Sequence, residues 1–111
     1  MTVGRAATRR AIVLRRTQYD GRVLERLTKA HTLEVVHTVV TDTGPELGAL
    51  IAIQHLLEHG AEVIVIPHLT REAIRRERRW LAVTALAELV TARGVVPRGS
   101  YSTPHPGRGS G

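Results

Sequence analysis

Cysteine and phenylalanine are absent from the 111 residues, tryptophan occurs once and tyrosine twice. Without thiols there is no disulfide scaffold, no thiol catalysis and no Cys-ligated zinc. With Tyr19, Trp80 and Tyr101 as the only aromatics, there is no stacking platform for single-stranded nucleic acid. No apolar stretch approaches the roughly 20 residues of a membrane span. The N-terminus lacks the apolar core of a secretory signal, so the expected location is cytoplasmic, away from membranes. A Gly-rich phosphate loop of the dinucleotide or P-loop kind is also missing.

Arginine is abundant. Lys29 is the sole lysine among sixteen basic residues, which outweigh ten acidic ones for a net charge of +6. Residues 1–30 hold eight basic and two acidic side chains, 31–70 five acidic and none basic, and 71–111 eight basic and three acidic. Two basic segments flanking an acidic middle predict a polarised surface. A guanidinium fork holds phosphate bidentately, so polyanions are the favoured partners. The same Arg/Lys ratio can also arise from codon bias.

Apolar residues make up 42% of the chain, a globular balance for one domain. Ala11-Ile12-Val13-Leu14 is a short apolar run between arginine pairs and predicts a buried strand. Asp20-Gly21 opens a helix carrying Val23, Leu24, Leu27 and Ala30 at helical spacing. Leu33 to Val40 is β-branched and predicts a second strand. Leu47, Leu50, Ile51, Leu56 and Leu57 trace a second helix, stopped by Gly60. Val63-Ile64-Val65-Ile66 is an unalternating run typical of a parallel strand covered on both faces. Thr70 caps a third helix expected to run to about Arg93, with Val95-Val96 as a short last strand. Alternation of this kind predicts an α/β fold: a small three-layer sandwich with a mostly parallel sheet and helices on both faces. The expected organisation is a flexible N-terminus over 1–10, the domain over 11–96, and a disordered Gly/Pro-rich tail over 97–111.

Open α/β sheets bind ligands beyond the carboxyl ends of their strands. That edge should gather Arg15-Arg16-Thr17, Thr41-Asp42 and His68-Leu69-Thr70-Arg71, together with the positive end of the third helix. Arginines, hydroxyls and one carboxylate suit a phosphate. They also suit ordinary solvated loops and a helix cap.

The segments resemble the catalytic domain of the serine recombinases, the resolvase/invertase family. Arg15-Arg16-Thr17 stands where that family has Arg-x-Ser, and Thr41-Asp42-Thr43-Gly44 resembles its acidic turn. Gly60-Ala61-Glu62, the stretch Ile66 to Ile74 and Arg93-Gly94-Val95 are also similar, over about residues 11 to 96. The resemblance implies a resolvase-like fold and a site in which Thr17 replaces a DNA-attacking serine, with Arg15 and Arg71 as phosphate ligands. Thr70 replaces the motif Asp, Ile74 replaces a second Arg, and Glu46 puts a carboxylate where an Arg is common. Losing several charge-stabilising groups should remove most of the rate, since one such donor alone is worth roughly 10²–10³. The long dimer helix and DNA-binding domain that complete such recombinases have no counterpart. The resemblance therefore implies a non-catalytic relative that binds DNA or phosphate and acts as an accessory in DNA recombination. Attack by Thr17, with Arg15 and Arg71 holding the phosphate, is the enzymatic alternative.

Arg71, Arg75 and Arg78, with Arg79 close by, fall on one stripe of a continuous helix at about 100° per residue. Such a stripe, with Arg16, either tracks a DNA backbone or is a solvated face neutralised by Glu72 and Glu77. From Trp80 to Val90 the same helix is apolar nearly all round, which predicts burial against a second copy through Trp80, Leu81, Val83, Leu86, Leu89 and Val90. A pure oligomerisation module is thus the third reading. His55 and His59 are four apart, a metal-binding spacing, and Glu58 adjoins them. The sequence offers no third ligand, so neither metal nor cofactor is expected. His37 and His68 are read as packing or surface residues.

Overall fold

The computed structural model describes residues 8–19 and 21–100. The expected flexible segment up to residue 7, the helix-opening Asp20 and the tail from Tyr101 lie outside the described residues. The chain forms β1 (Arg9–Arg15), α1 (Gly21–Ala30), β2 (Leu33–Val40), α2 (Pro45–His59), β3 (Val63–Val65), α3 (Arg71–Arg76), α4 (Arg78–Leu86), β4 (Glu88–Thr91) and β5 (Gly94–Val96). The sheet order is β2-β1-β3-β4-β5, parallel except for the antiparallel β4–β5 pair.

The short apolar runs form the central strands because both sheet faces are covered. On one face Ala11, Val13, Val63, Val65 and Val90 are buried, with Leu24 and Leu27 of α1 packed over them. On the other, Ile12, Leu14, Ile64 and Leu89 meet Ala49, Ala52 and Leu56 of α2, Ile74 of α3, and Trp80 and Val83 of α4. Each large aliphatic side chain buried this way contributes about 1.5–3 kcal/mol. The three-layer α/β architecture is thus as the alternation implied. Among the described residues no helix is long and apolar enough to cross a membrane.

Two differences from the sequence expectation stand out. First, β1 begins at Arg9, inside the segment expected to be flexible. Arg9 forms a forked pair with Glu88 at the start of β4, at 2.9 and 3.2 Å. Arg10 donates from Nε and Nη2 to the His59 carbonyl, closing the end of α2. These two arginines therefore serve the amino edge of the sheet. At the other end, the Gly99 N–H donates to the Thr84 carbonyl at 2.7 Å, tying the chain beyond β5 to α4.

Second, the single helix expected over residues 70–93 is two helices and a strand. Glu77 is extended (φ −105°, ψ 105°), ending α3 and capping α4 through its carboxylate, which accepts the Arg79 N–H. Ala87 is extended again, and Glu88–Thr91 pairs with β3. The two-residue turn Ala92-Arg93 then reverses the chain into Gly94, at φ 146°. The all-round apolarity of 80–90 therefore reflects a helix followed by a central strand, and this domain itself provides the cover. Of the six residues expected at an interface, Trp80, Val83, Leu89 and Val90 are fully buried, Leu81 is half-buried and Leu86 is exposed. Trp80 is a core residue and not a surface anchor. Its Nε1–H donates to the Pro45 carbonyl at 2.8 Å, and its ring lies against Gly48.

Candidate functional site

The sheet order reverses direction between β1 and β3, since β2 lies beyond β1 and β4 beyond β3. Loops leaving the two strands at such a point diverge to opposite faces and open a crevice at the carboxyl edge. Arg15-Arg16-Thr17 leaves β1 there, Thr41-Asp42 leaves β2, and Pro67-His68 follows β3.

Asp42 is the hub. Its carboxylate accepts the Thr17 hydroxyl at 2.7 Å and the Thr17 N–H at 3.0 Å. Those two bonds hold the Asp42 carboxyl below its ordinary range, with smaller help from Arg16 and His68. Arg15 donates to the Thr17 carbonyl at 3.2 Å, fixing the same turn from behind. His68 is half-buried, and burial lowers its pKa; Arg16 adds to the shift and Asp42 opposes it. Its Nδ1 is shielded from solvent and has no hydrogen-bond partner. Arg16, Thr17, Asp42 and His68 thus form one electrostatic unit, and Arg16 brings an exposed guanidinium to it.

The α3 side contributes less than expected. Thr70 Oγ1 is occupied as a cap, accepting the Ala73 N–H at 3.0 Å. The helix that follows is only six residues long, so it offers little dipole. The arginine stripe does not survive the break at Glu77. Arg71 and Arg75 lie on α3, whereas Arg78 and Arg79 open α4. Arg79 is bound to Glu77 at 2.9 Å and Glu46 at 3.0 Å, and Arg76 to Glu72 at 2.9 Å. Glu46 is thereby partly neutralised. Among the described residues, no carboxylate forms an ion pair with Arg16, Arg71, Arg75 or Arg78, and all four are exposed. Between the first turn of α2 and α3, a shallow hollow of about 360 Å³ is lined by Glu46, Glu72 and Glu77 against Arg76, a wall that repels phosphate.

A grouping not legible in the sequence lies on the α2 face of β2. His37 meets His55 and His59 there, and His37 is the third imidazole that spacing along the chain could not supply.

The chain is an open, mostly parallel α/β domain whose Arg16, Thr17, Asp42 and His68 gather at the carboxyl edge of the sheet, where the strand order switches. No family model, no curated protein and no solved structure matches the chain significantly.

Proposed function

We propose that the chain is a serine-recombinase-like domain without strand-transfer activity, which binds the phosphate backbone of DNA as an accessory in DNA recombination. The observation that carries this reading is the Asp42–Thr17 unit. Thr17 stands at the end of β1, where the resemblance requires a nucleophile, but both of its donors are taken by a carboxylate. Asp42 acts as an internal anion where a reacting phosphate would need those donors. Its depressed pKa also makes it a weak base for activating a hydroxyl. Arg16, Arg71, Arg75 and Arg78, exposed and without an ion pair among the described residues, remain to hold phosphates without chemistry.

Duplex-DNA binding by fluorescence anisotropy tests this. Arg16→Ala and Arg71→Ala should each weaken binding several-fold; affinities equal to wild type for both would overturn the reading.

The enzymatic alternative has Thr17 attack the phosphate held by Arg15 and Arg71, and it requires the Thr17 hydroxyl to leave its 2.7 Å bond to Asp42. A covalent Thr17 adduct on nicked or suicide DNA substrates would establish it. The oligomerisation reading, expected through residues 80–90, now rests on the exposed Leu47, Leu50 and Leu57 of α2. Light scattering of Leu50→Glu against wild type tests it, since a lower mass in the variant is required.

A further inference from the structure

We propose that His37, His55 and His59 form a binding site for a divalent transition ion of the Zn²⁺ type, joining the edge strand β2 to the end of α2.

The fold builds the site from two independent placements. His55 and His59 are one turn apart on α2, so their side chains share a helix face. His37 reaches that face through a β-bulge: Ala11 pairs with Val35 but Ile12 with His37, leaving Val36 as the extra residue. Ile12 belongs to the core under α2, so its partner His37 is set on the same side of the sheet. Bulges on edge strands often re-aim one side chain in this way.

The three rings gather closely. The His37 centroid lies 4.6 Å from each of the other two, and those two are 5.9 Å apart. One ring nitrogen from each lies within 4.8 Å of the others, and all three residues are half-buried. Bonds of about 2.0–2.1 Å in tetrahedral geometry place ligand nitrogens roughly 3.4 Å apart. The rings are stacked at 18–26° to one another, so ion binding requires χ rotations that turn their in-plane nitrogen lone pairs to a common point.

The surroundings favour a cation. The His55 Nδ1 is shielded from solvent and makes no hydrogen bond, although a Glu58 oxygen lies 3.2 Å away in poor geometry. A buried nitrogen without a hydrogen bond is open to a bound ion or water. The same Glu58 oxygen is 4.0 Å from His59 Nε2, so one carboxylate adjoins both helical imidazoles. It can orient a ring or complete the ligand set. The negative end of the 15-residue α2 dipole lies at the same place. Arg10, bonded to the His59 carbonyl at 2.7 Å, is an opposing charge close by. Three imidazoles with no thiolate suit zinc, copper or nickel and exclude the hard ions.

The test uses the full chain after EDTA treatment and desalting. Equilibrium dialysis against Zn²⁺, read by elemental analysis, should give one ion per chain. At an ion concentration a hundred times Kd, Tm should rise by roughly 10 °C. His37→Asn and His59→Asn should each lower affinity at least tenfold, whereas His31→Asn, outside the cluster, should leave it unchanged. Co²⁺ should give the intense visible bands of a tetrahedral site, lost in His37→Asn. Should a variant lose its circular dichroism spectrum, diethyl pyrocarbonate labelling of the wild type replaces it, with Zn²⁺ protecting His37, His55 and His59. Binding below about 0.2 equivalents, equal binding in both cluster variants, or labelling unaffected by Zn²⁺ would each overturn the site and leave the three rings as a packing cluster.

Discussion

At the scale of single residues, the carboxyl edge is governed by what Asp42 occupies. Its carboxylate satisfies the Thr17 hydroxyl and N–H, donors that face an anion in a phosphate site. Asp42→Asn removes a negative charge from the crevice while retaining an acceptor for Thr17. With one repelling charge removed, duplex-DNA affinity should rise roughly fivefold, the scale of a unit-charge contact in water. An unchanged or weaker affinity in anisotropy would place the DNA elsewhere. His68 supplies a separate readout. Its pKa in the fold lies below the ordinary imidazole value of 6.5, chiefly through burial. Between those two values the unfolded chain binds more protons, so the His68 contribution is complete at neutral pH. It is lost as pH falls through 6.5 towards the folded value. Asp42 acts in the same direction in a lower window, below its ordinary value of 3.8. Thermal stability of wild type should therefore fall between pH 7 and pH 5, and His68→Gln should flatten that part of the profile. Identical profiles would show that His68 is not desolvated as the packing implies.

At the scale of elements, the join of α2 to α4 rests on Trp80. Its ring is fully buried and its Nε1–H holds the first turn of α2 through Pro45. Trp80→Ala should cost about 3–5 kcal/mol, because it opens a cavity and strands the Pro45 carbonyl. The loss should appear in denaturant unfolding as a lower midpoint. A variant that kept its stability and changed only its mass would restore Trp80 as a contact between chains. This residue also marks where the sequence was readable and where it was not. β1, β2 and β3 were visible as short apolar or β-branched runs, and α1 and α2 as helical spacing with a Gly60 stop, because local pattern and tertiary burial agree there. Residues 71–93 misled because Glu77 is an ordinary helix former and Leu89-Val90 continues a helical spacing. Pairing with β3 overrode that local preference. The β-branched Val90-Thr91 ahead of Gly94 was the available signal of a hairpin. Asp42 was legible as an edge residue, but its bonding to Thr17 depends on two strand ends meeting across the sheet. His37 was invisible for the same reason, since a bulge and a packed helix bring it to residues far along the chain.

At the scale of the whole molecule, the net charge of +6 is sorted by the fold. Arg9 and Arg10 are spent on the amino edge, and Arg76 and Arg79 on carboxylates beside the acid-lined hollow. Arg16, Arg71, Arg75 and Arg78 are exposed and without an ion pair among the described residues, as are Arg93 and Arg98, and the first four are the ones assigned to a polyanion. A competing basic surface lies on α1, where Arg26 and Lys29 border a shallow groove and Lys29 already pairs with Glu25 at 3.5 Å. The salt dependence of DNA binding separates the two. If the four free arginines each neutralise a phosphate, the slope of log K against log[salt] is about −3.6, and affinity falls about a hundredfold between 50 and 200 mM salt. Arg71→Ala should reduce that slope by about 0.9, while the double variant Arg26→Ala, Lys29→Ala should leave it in place. A slope reduced by the α1 double variant and untouched by Arg71→Ala would move the DNA to α1. The switch-point crevice would then be a fold feature that no longer meets a phosphate.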